Sequence, residues 1–179
     1  MTEFSLSSTD LSLPASVSLL SIRILKLLNV NNKDGQLEVL ISAIPSLETL
    51  LLERCAFKNY NLTISSTQLK NFYIYGGIPS SVVISTPNLI SLKFNINNKK
   101  PATMTFDCDL LSLSNAMIGN VDICSQSWIQ LLSAIKNARS LILSENFFQQ
   151  LVQEVRKDDP LLNFIQIPFY NLKGLELVK

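Results

Sequence analysis

The segments LTISSTQLKNFYI (Leu62–Ile74) and VVISTPNLISLKF (Val82–Phe94) superimpose at an offset of 20 residues, with identical or similar side chains at most apolar positions. A chain that repeats itself at such an interval stacks like units. Each unit is one piece of supersecondary structure, too small to bury its own apolar face without a neighbour.

Both segments end in the pattern apolar-x-x-apolar-x-apolar, here Leu69/Phe72/Ile74 and Leu89/Leu92/Phe94. Toward the N-terminus the pattern recurs as Ile22/Leu25/Leu27 and Leu47/Leu50/Leu52. Toward the C-terminus it recurs, less cleanly, as Leu113/Ala116/Ile118, Ala138/Leu141/Leu143 and Leu172/Leu175/Leu177. The central residues Leu25, Leu50, Phe72, Leu92, Ala116, Leu141 and Leu175 are separated by 25, 22, 20, 24, 25 and 34 positions. All but the last interval fall in the range of about 20 to 29 that marks a leucine-rich repeat. The last is long because an additional helical segment and Pro160 intervene.

The fold expected is therefore an α/β leucine-rich-repeat solenoid with a parallel inner sheet of about seven strands. It forms a single domain over 1–179, with repeat cores near 22–28, 47–53, 69–75, 89–95, 113–119, 138–144 and 172–178. In each core the last two apolar residues lie two apart, so both point to one side of a strand and enter the stack.

The connecting segments must return the chain along the outer side. Three carry the helical i, i+3, i+4, i+7 period: Leu37/Leu40/Ile41/Ile44, Trp128/Leu131/Leu132/Ile135 and Phe148/Leu151/Val152/Val155. Pro45 closes the first, Ser125 or Ser127 caps the second, and Asp158-Asp159-Pro160 closes the third. The middle connections instead show pairs at spacing two, Leu62/Ile64, Val82/Ile84 and Met104/Phe106, which predict extended segments.

Composition agrees with a folded chain, since 47% apolar against 16% charged residues is the reverse of a disordered profile. A net charge of +1 steers the chain toward neither nucleic acid nor an anionic membrane. The start MTEFSLSSTDLSLP has no basic segment followed by an apolar run, and no stretch reaches the roughly 18 apolar residues of a membrane span. A cytoplasmic or nuclear location is the expectation. Cys55, Cys108 and Cys124 fit neither a disulfide framework nor a zinc knuckle, so they read as reduced structural residues. Asn61-Leu62-Thr63 then reads as an incidental sequon.

Candidate chemistry is sparse. The chain has no histidine, which removes Ser-His-Asp and Cys-His catalysis and most zinc sites. Gly76-Gly77 precedes Ile78-Pro79 where a phosphate loop would need Lys-Ser/Thr, and reads as a turn after the third core. Asp107, Asp109 and Asp122 lack calcium-loop spacing and its glycine, and read as solvated loop carboxylates. Asn97-Asn98-Lys99-Lys100 is too short for a nucleic-acid stripe. Neither a catalytic residue nor a metal or cofactor is expected, and an enzyme or small-ligand receptor is a remote alternative because no convergent polar cluster supports a pocket.

The wording of the repeats resembles the plant F-box/LRR proteins, including those with a C-terminal FBD region. The phrases SIRILKLLNV, LEVLISAIPSLETLLLERCAF, LTISSTQLKNFYIYG, VVISTPNLISLKFNI and ARSLILSENFFQQLVQE carry it, from about Leu13 to Lys179. The run from Leu37 to Phe57 is the most specific. The resemblance implies that the repeats select a protein substrate, while an F-box docks on an SKP1-like adaptor within a cullin-based (SCF-type) ubiquitin ligase. An F-box would precede the repeats as a helical segment with Leu-Pro near its start and Trp near its end. Here Leu13-Pro14 leads straight into the first core and the one tryptophan is Trp128. The adaptor is thus expected only through a longer product; the alternative is a ligase-independent scaffold or decoy.

Residues alternating with the buried core positions face away from the stack. The fifth positions are Lys26, Leu51, Tyr73, Lys93, Met117, Ile142 and Glu176, with Leu28, Glu53, Tyr75 and Asn95 at the seventh. The expected partner-binding residues on this concave face are Leu51, Tyr73, Tyr75, Lys93, Met117 and Ile142, because contiguous exposed apolar side chains mark interaction sites.

Overall fold

A computed structural model of the chain describes residues 2–14, 19–32, 35–57, 61–77, 79–96, 101–157 and 169–179. Among the described residues thirteen strands and three helices follow one another as β1 (Thr2–Ser7), β2 (Ile22–Leu28), β3 (Asn31–Asn32), α1 (Gln36–Ser42), β4 (Thr49–Glu53), β5 (Ala56–Phe57), β6 (Asn61–Ser65), β7 (Asn71–Gly76), β8 (Ser81–Ser85), β9 (Ser91–Ile96), β10 (Thr103–Phe106), β11 (Asn115–Ile118), α2 (Ser125–Ile135), β12 (Ser140–Ser144), α3 (Glu145–Lys157) and β13 (Gly174–Val178).

Eight of the strands form one parallel sheet in the order β1-β2-β4-β7-β9-β11-β12-β13, so every inner strand lies beside its predecessor in the repeat series. Register aligns equivalent core positions: Leu25 pairs with Leu50, Leu50 with Phe72, Phe72 with Leu92, Leu92 with Ala116 and Ala116 with Leu141. These side chains, with Leu27, Leu52, Ile74, Phe94, Ile118 and Leu143, are buried. Phe72 meets Phe94 edge to face at 5.8 Å, which locks the two middle repeats together.

Coils are coupled at both ends of the strands. Ahead of the strands, the carbonyls of Glu48, Lys70, Ile90, Ser114 and Arg139 each accept from two successive amides of the following coil. At the far end Ser8, Asn29, Arg54 and Gly76, at equivalent positions, all turn left-handed with φ of 52, 54, 52 and 90°. Three of these carry a β carbon, an arrangement that costs about 1–2 kcal/mol per residue. The turn follows directly on the last rung of the ladder: Ser8 N–H donates to the Leu28 carbonyl, Asn29 to Glu53 and Arg54 to Tyr75, and the chain then leaves the sheet. Gly76 leads into Gly77, where a β carbon would lie 2.5 Å from the Cys55 carbonyl oxygen. The Gly76-Gly77 pair is thus a close-packed turn.

The outer side is mixed, as the spacing-two pairs predict. Strands β6, β8 and β10 form a parallel sheet behind the middle repeats, with Leu62, Ile64, Val82, Ile84 and Met104 buried. Helix side chains close its two edges. On the β10 edge, Ser127 Oγ and Gln130 Oε1 of α2 accept from Met104 and Phe106 N–H, alternate amides that a further strand would otherwise take. On the β6 edge, Glu38 of α1 accepts from Thr63 N–H. Ser127→Ala leaves the buried Met104 amide unpaired, so urea unfolding should show a loss of about 1–3 kcal/mol.

Several expectations are corrected. The expected parallel inner sheet is present with all seven core strands, and β1 joins it as an eighth through the alternating Phe4 and Leu6, half-buried on β2, with Glu3 on Lys26 at 2.8 Å. Leu175 and Leu177 are 56% and 52% exposed and not in a core, since among the described residues β13 pairs with β12 alone. Neither Ser125 nor Ser127 caps α2: its N-cap is Cys124 without a side-chain bond, and Ser127 is committed to β10. Helix α3 buries Phe147 and exposes Phe148, because Trp128 of α2 packs on Phe147 at 4.8 Å between ring centres. Ser144 Oγ accepts from Phe147 N–H at the helix entry. The Val155 side chain, Asp158-Asp159-Pro160, Ile78 and Asn97-Asn98-Lys99-Lys100 lie outside the described residues.

Candidate binding surface

Parallel register turns the alternation within each strand into rows that run across the whole sheet. The middle row reads Lys26, Leu51, Tyr73, Lys93, Met117 and Ile142, each the pairing partner of the next, ending at Glu176. All but exposed Glu176 are half-buried. The expected binding residues Leu51, Tyr73, Lys93, Met117 and Ile142 are therefore brought side by side on five adjacent strands. Tyr75 stands in the neighbouring row between Glu53 and Asn95.

Lys93 reaches over Tyr73, its Nζ 5.1 Å from the ring centre, a cation–π contact that fixes both side chains. The Tyr73 hydroxyl donates to Asn71 Oδ1 at 3.4 Å, and the Asn71 amide donates to Thr49 Oγ1 at 3.1 Å. The other lysine of the row, Lys26, is neutralised by Glu3. Among the described residues no carboxylate pairs with Lys93.

The two rows that flank the middle one differ in character. On the side where the strands begin stand Thr49, Asn71, Ser91, Asn115 and Ser140. On the other side Asn95 leans toward Gly119, where a β carbon would lie 2.6 Å from its Oδ1, so the glycine is what lets the amide lie there. Sequence reasoning passed over Asn71 and Asn115 because it drew the binding set from the fifth and seventh positions of each core and left the third unread. The signal was present, since they occupy the third position of each core as Tyr73 and Met117 occupy the fifth.

At the rim, Glu53, Arg54, Tyr75, Gly76 and Asn95 line an open cleft of about 370 Å³. Burial, then the neighbouring Tyr73 and Glu53, pushes the Tyr75 hydroxyl up from its ordinary value. A second cleft of about 370 Å³ lies on the outer side against α2, where Asp107, Cys108 and Asp109 face Gln130 and Ser133. Among the described residues no group of three or more His, Cys, Asp or Glu is placed to hold a metal ion.

Burial also raises the Cys55 thiol, outweighing the backbone hydrogen bonds that favour the thiolate. Native-state alkylation at neutral pH should therefore leave Cys55, 5% exposed, unmodified until the chain unfolds. The folded state holds this proton more tightly than the unfolded one. Its contribution is complete below the unfolded value of 9.0 and is lost as pH rises from there through the higher folded value. Urea midpoints should fall over that alkaline window, and less steeply in Cys55→Ala.

A family profile described as the LRR repeats of FBD-associated F-box protein At5g56370 matches residues 2–106, and so includes β1. The chain is 28% identical over 167 residues to the putative F-box/FBD/LRR-repeat protein At1g16940 of Arabidopsis thaliana, covering 90% of this chain and 37% of that protein. The chain thus spans little more than a third of the relative's length. No solved structure matches at a significant level. Among the described residues no helix is long and apolar enough to cross a membrane.

Proposed function

Since the chain belongs to the leucine-rich-repeat family of FBD-associated F-box proteins, we propose that it is a protein-recognition module whose docking surface is the concave sheet. We take 1–179 as one repeat domain for this purpose. The observation that carries the reading is the uninterrupted row Leu51, Tyr73, Lys93, Met117 and Ile142, which keeps apolar and cationic side chains in contact with solvent on five neighbouring strands. A sheet face with no partner to meet favours small polar side chains at such positions, as the row Thr49, Asn71, Ser91, Asn115 and Ser140 has.

In the finer form of the reading, the chain selects the substrate of an SCF-type ubiquitin ligase, in the cytoplasm or nucleus. An F-box in a longer product then engages an SKP1-like adaptor, and ubiquitin transfer takes place elsewhere in the assembly. Binding is the whole contribution of these repeats.

A photo-reactive residue placed at Met117 should crosslink to binders selected from a displayed library of plant protein fragments. One at Val39, 53% exposed on the outer helix α1, should not. Crosslinking from Val39 alone would place the docking surface on the wrong side. Adaptor dependence is checked by whether the full-length gene product co-purifies with an SKP1-like protein while residues 1–179 alone do not.

A further inference from the structure

The pattern of the middle row is specific enough to define the chemistry of its occupant. The geometry points to an extended peptide segment of the form apolar–x–acidic–x–apolar, laid across the strands with its carboxylate on Lys93. This deepens, and rests on, the reading of the concave sheet as a docking surface.

Three observations meet at Lys93. First, charge: it is the one cation of the middle row without a carboxylate among the described residues, since Lys26 has Glu3. Its contact with the Tyr73 ring already fixes its position, so an incoming carboxylate meets an ordered ammonium and not a free-swinging one.

Second, spacing. Lys93 is centred between two apolar pairs, Leu51/Tyr73 on one side and Met117/Ile142 on the other. With strands about 4.8 Å apart, the centres of the two pairs lie about 7 Å to either side of the lysine. Residues i, i+2 and i+4 of an extended chain fall on one face at intervals of about 6.7 Å, which matches each centre closely. Positions i, i+4 and i+8 of a helix advance by about 6 Å each and fall short by roughly 2 Å over the whole span.

Third, hydrogen-bonding capacity. Asn71 and Asn115 stand on one side of the row and Asn95 on the other, amide side chains that both donate and accept; beyond its bonds with Thr49 and Tyr73 the Asn71 amide keeps one N–H and one oxygen lone pair. An extended peptide brings main-chain N–H and C=O groups that must find partners when water is displaced, whereas a helix has satisfied its own. Amides on both sides of an apolar track serve the first occupant more than the second.

The test uses fluorescent synthetic peptides with a leucine–serine–glutamate–serine–leucine core, titrated into the intact chain by polarisation. Glutamine or lysine in place of the glutamate should weaken binding by about tenfold or more, the scale of a lost charge-assisted hydrogen bond. Moving the glutamate one position along should do the same. Lys93→Met, which keeps the stem over Tyr73, should erase the preference for glutamate over glutamine. Lys93→Glu, checked for unchanged melting, should invert the preference toward the lysine peptide.

Equal binding of the glutamate and glutamine peptides, or an unaltered preference in Lys93→Met, overturns the proposal. So does failure of every peptide to bind. In those cases the docking reading still stands if library binders crosslink from Met117, and falls with the proposal if they crosslink only from the outer side.

Discussion

Replacing Phe72 by alanine is expected to lower the unfolding free energy by about 3–5 kcal/mol. The ring is fully buried in β7, surrounded by its register partners Leu50 and Leu92 and set edge to face against Phe94. The loss combines transfer of the ring, the cavity left behind, and about 0.5–1.5 kcal/mol of aromatic pairing. A domain of ordinary stability has only about 5–15 kcal/mol in total.

The form of the loss matters as much as its size. In a stack whose stability is a sum of repeats and nearest-neighbour interfaces, weakening the middle uncouples the ends. Urea denaturation of Phe72→Ala should therefore be broader than in the parent chain, with the N-terminal coils backed by α1 and the C-terminal coils backed by α2 and α3 unfolding out of step. Phe148→Ala is the control, since that ring is 37% exposed on α3 and should cost well under half as much. An equally sharp transition after a large loss would contradict the one-dimensional account.

The second large effect concerns binding and leaves folding nearly intact. Tyr73→Glu combined with Met117→Glu should reduce affinity for concave-face binders by about 100-fold or more, the effect of removing two central contacts from an interface. Both side chains are half-buried on the outward side of their strands, and their neighbours in the stack are untouched. Melting should therefore stay cooperative, within a few degrees of the parent. The glutamate at 73 also takes away the ring beneath Lys93 and gives that ammonium an internal partner.

Much of this architecture was legible in the sequence because a solenoid writes its period directly into the chain. The core of β4, β7 and β9 follows from three apolar positions per repeat, and the change from helix to strand behind the middle repeats follows from the change in spacing at Leu62/Ile64 and Val82/Ile84. What escaped lies where periodicity carries no information. Strand β1 offers only Phe4 and Leu6, too short an alternation to stand out, and is a strand because β2 presents it with an edge. Leu175 and Leu177 fit the repeat pattern perfectly well, but a pattern cannot say whether a further coil covers them.

Edge closure was equally invisible. Ser127 reads as a helix cap by residue type, and only the proximity of β10 redirects it to Met104 N–H. The same limit applies to the binding surface. The row Leu51, Tyr73, Lys93, Met117, Ile142 follows from repeat arithmetic, since equivalent positions of parallel strands become neighbours. The posture of Lys93 over Tyr73, and the room that Gly119 leaves for Asn95, depend on side-chain geometry that spacing does not encode.

The most direct test of the concave sheet as the docking face is a paired titration. One set of binders, selected from the fragment library, is measured by calorimetry against the inner-face variant Tyr73→Glu/Met117→Glu and an outer-face variant Val39→Glu/Ile129→Glu. The outer-face pair alters two exposed side chains on α1 and α2. The account predicts that binding collapses in the first and is unchanged in the second. Unchanged binding in the first, with collapse in the second, would contradict it.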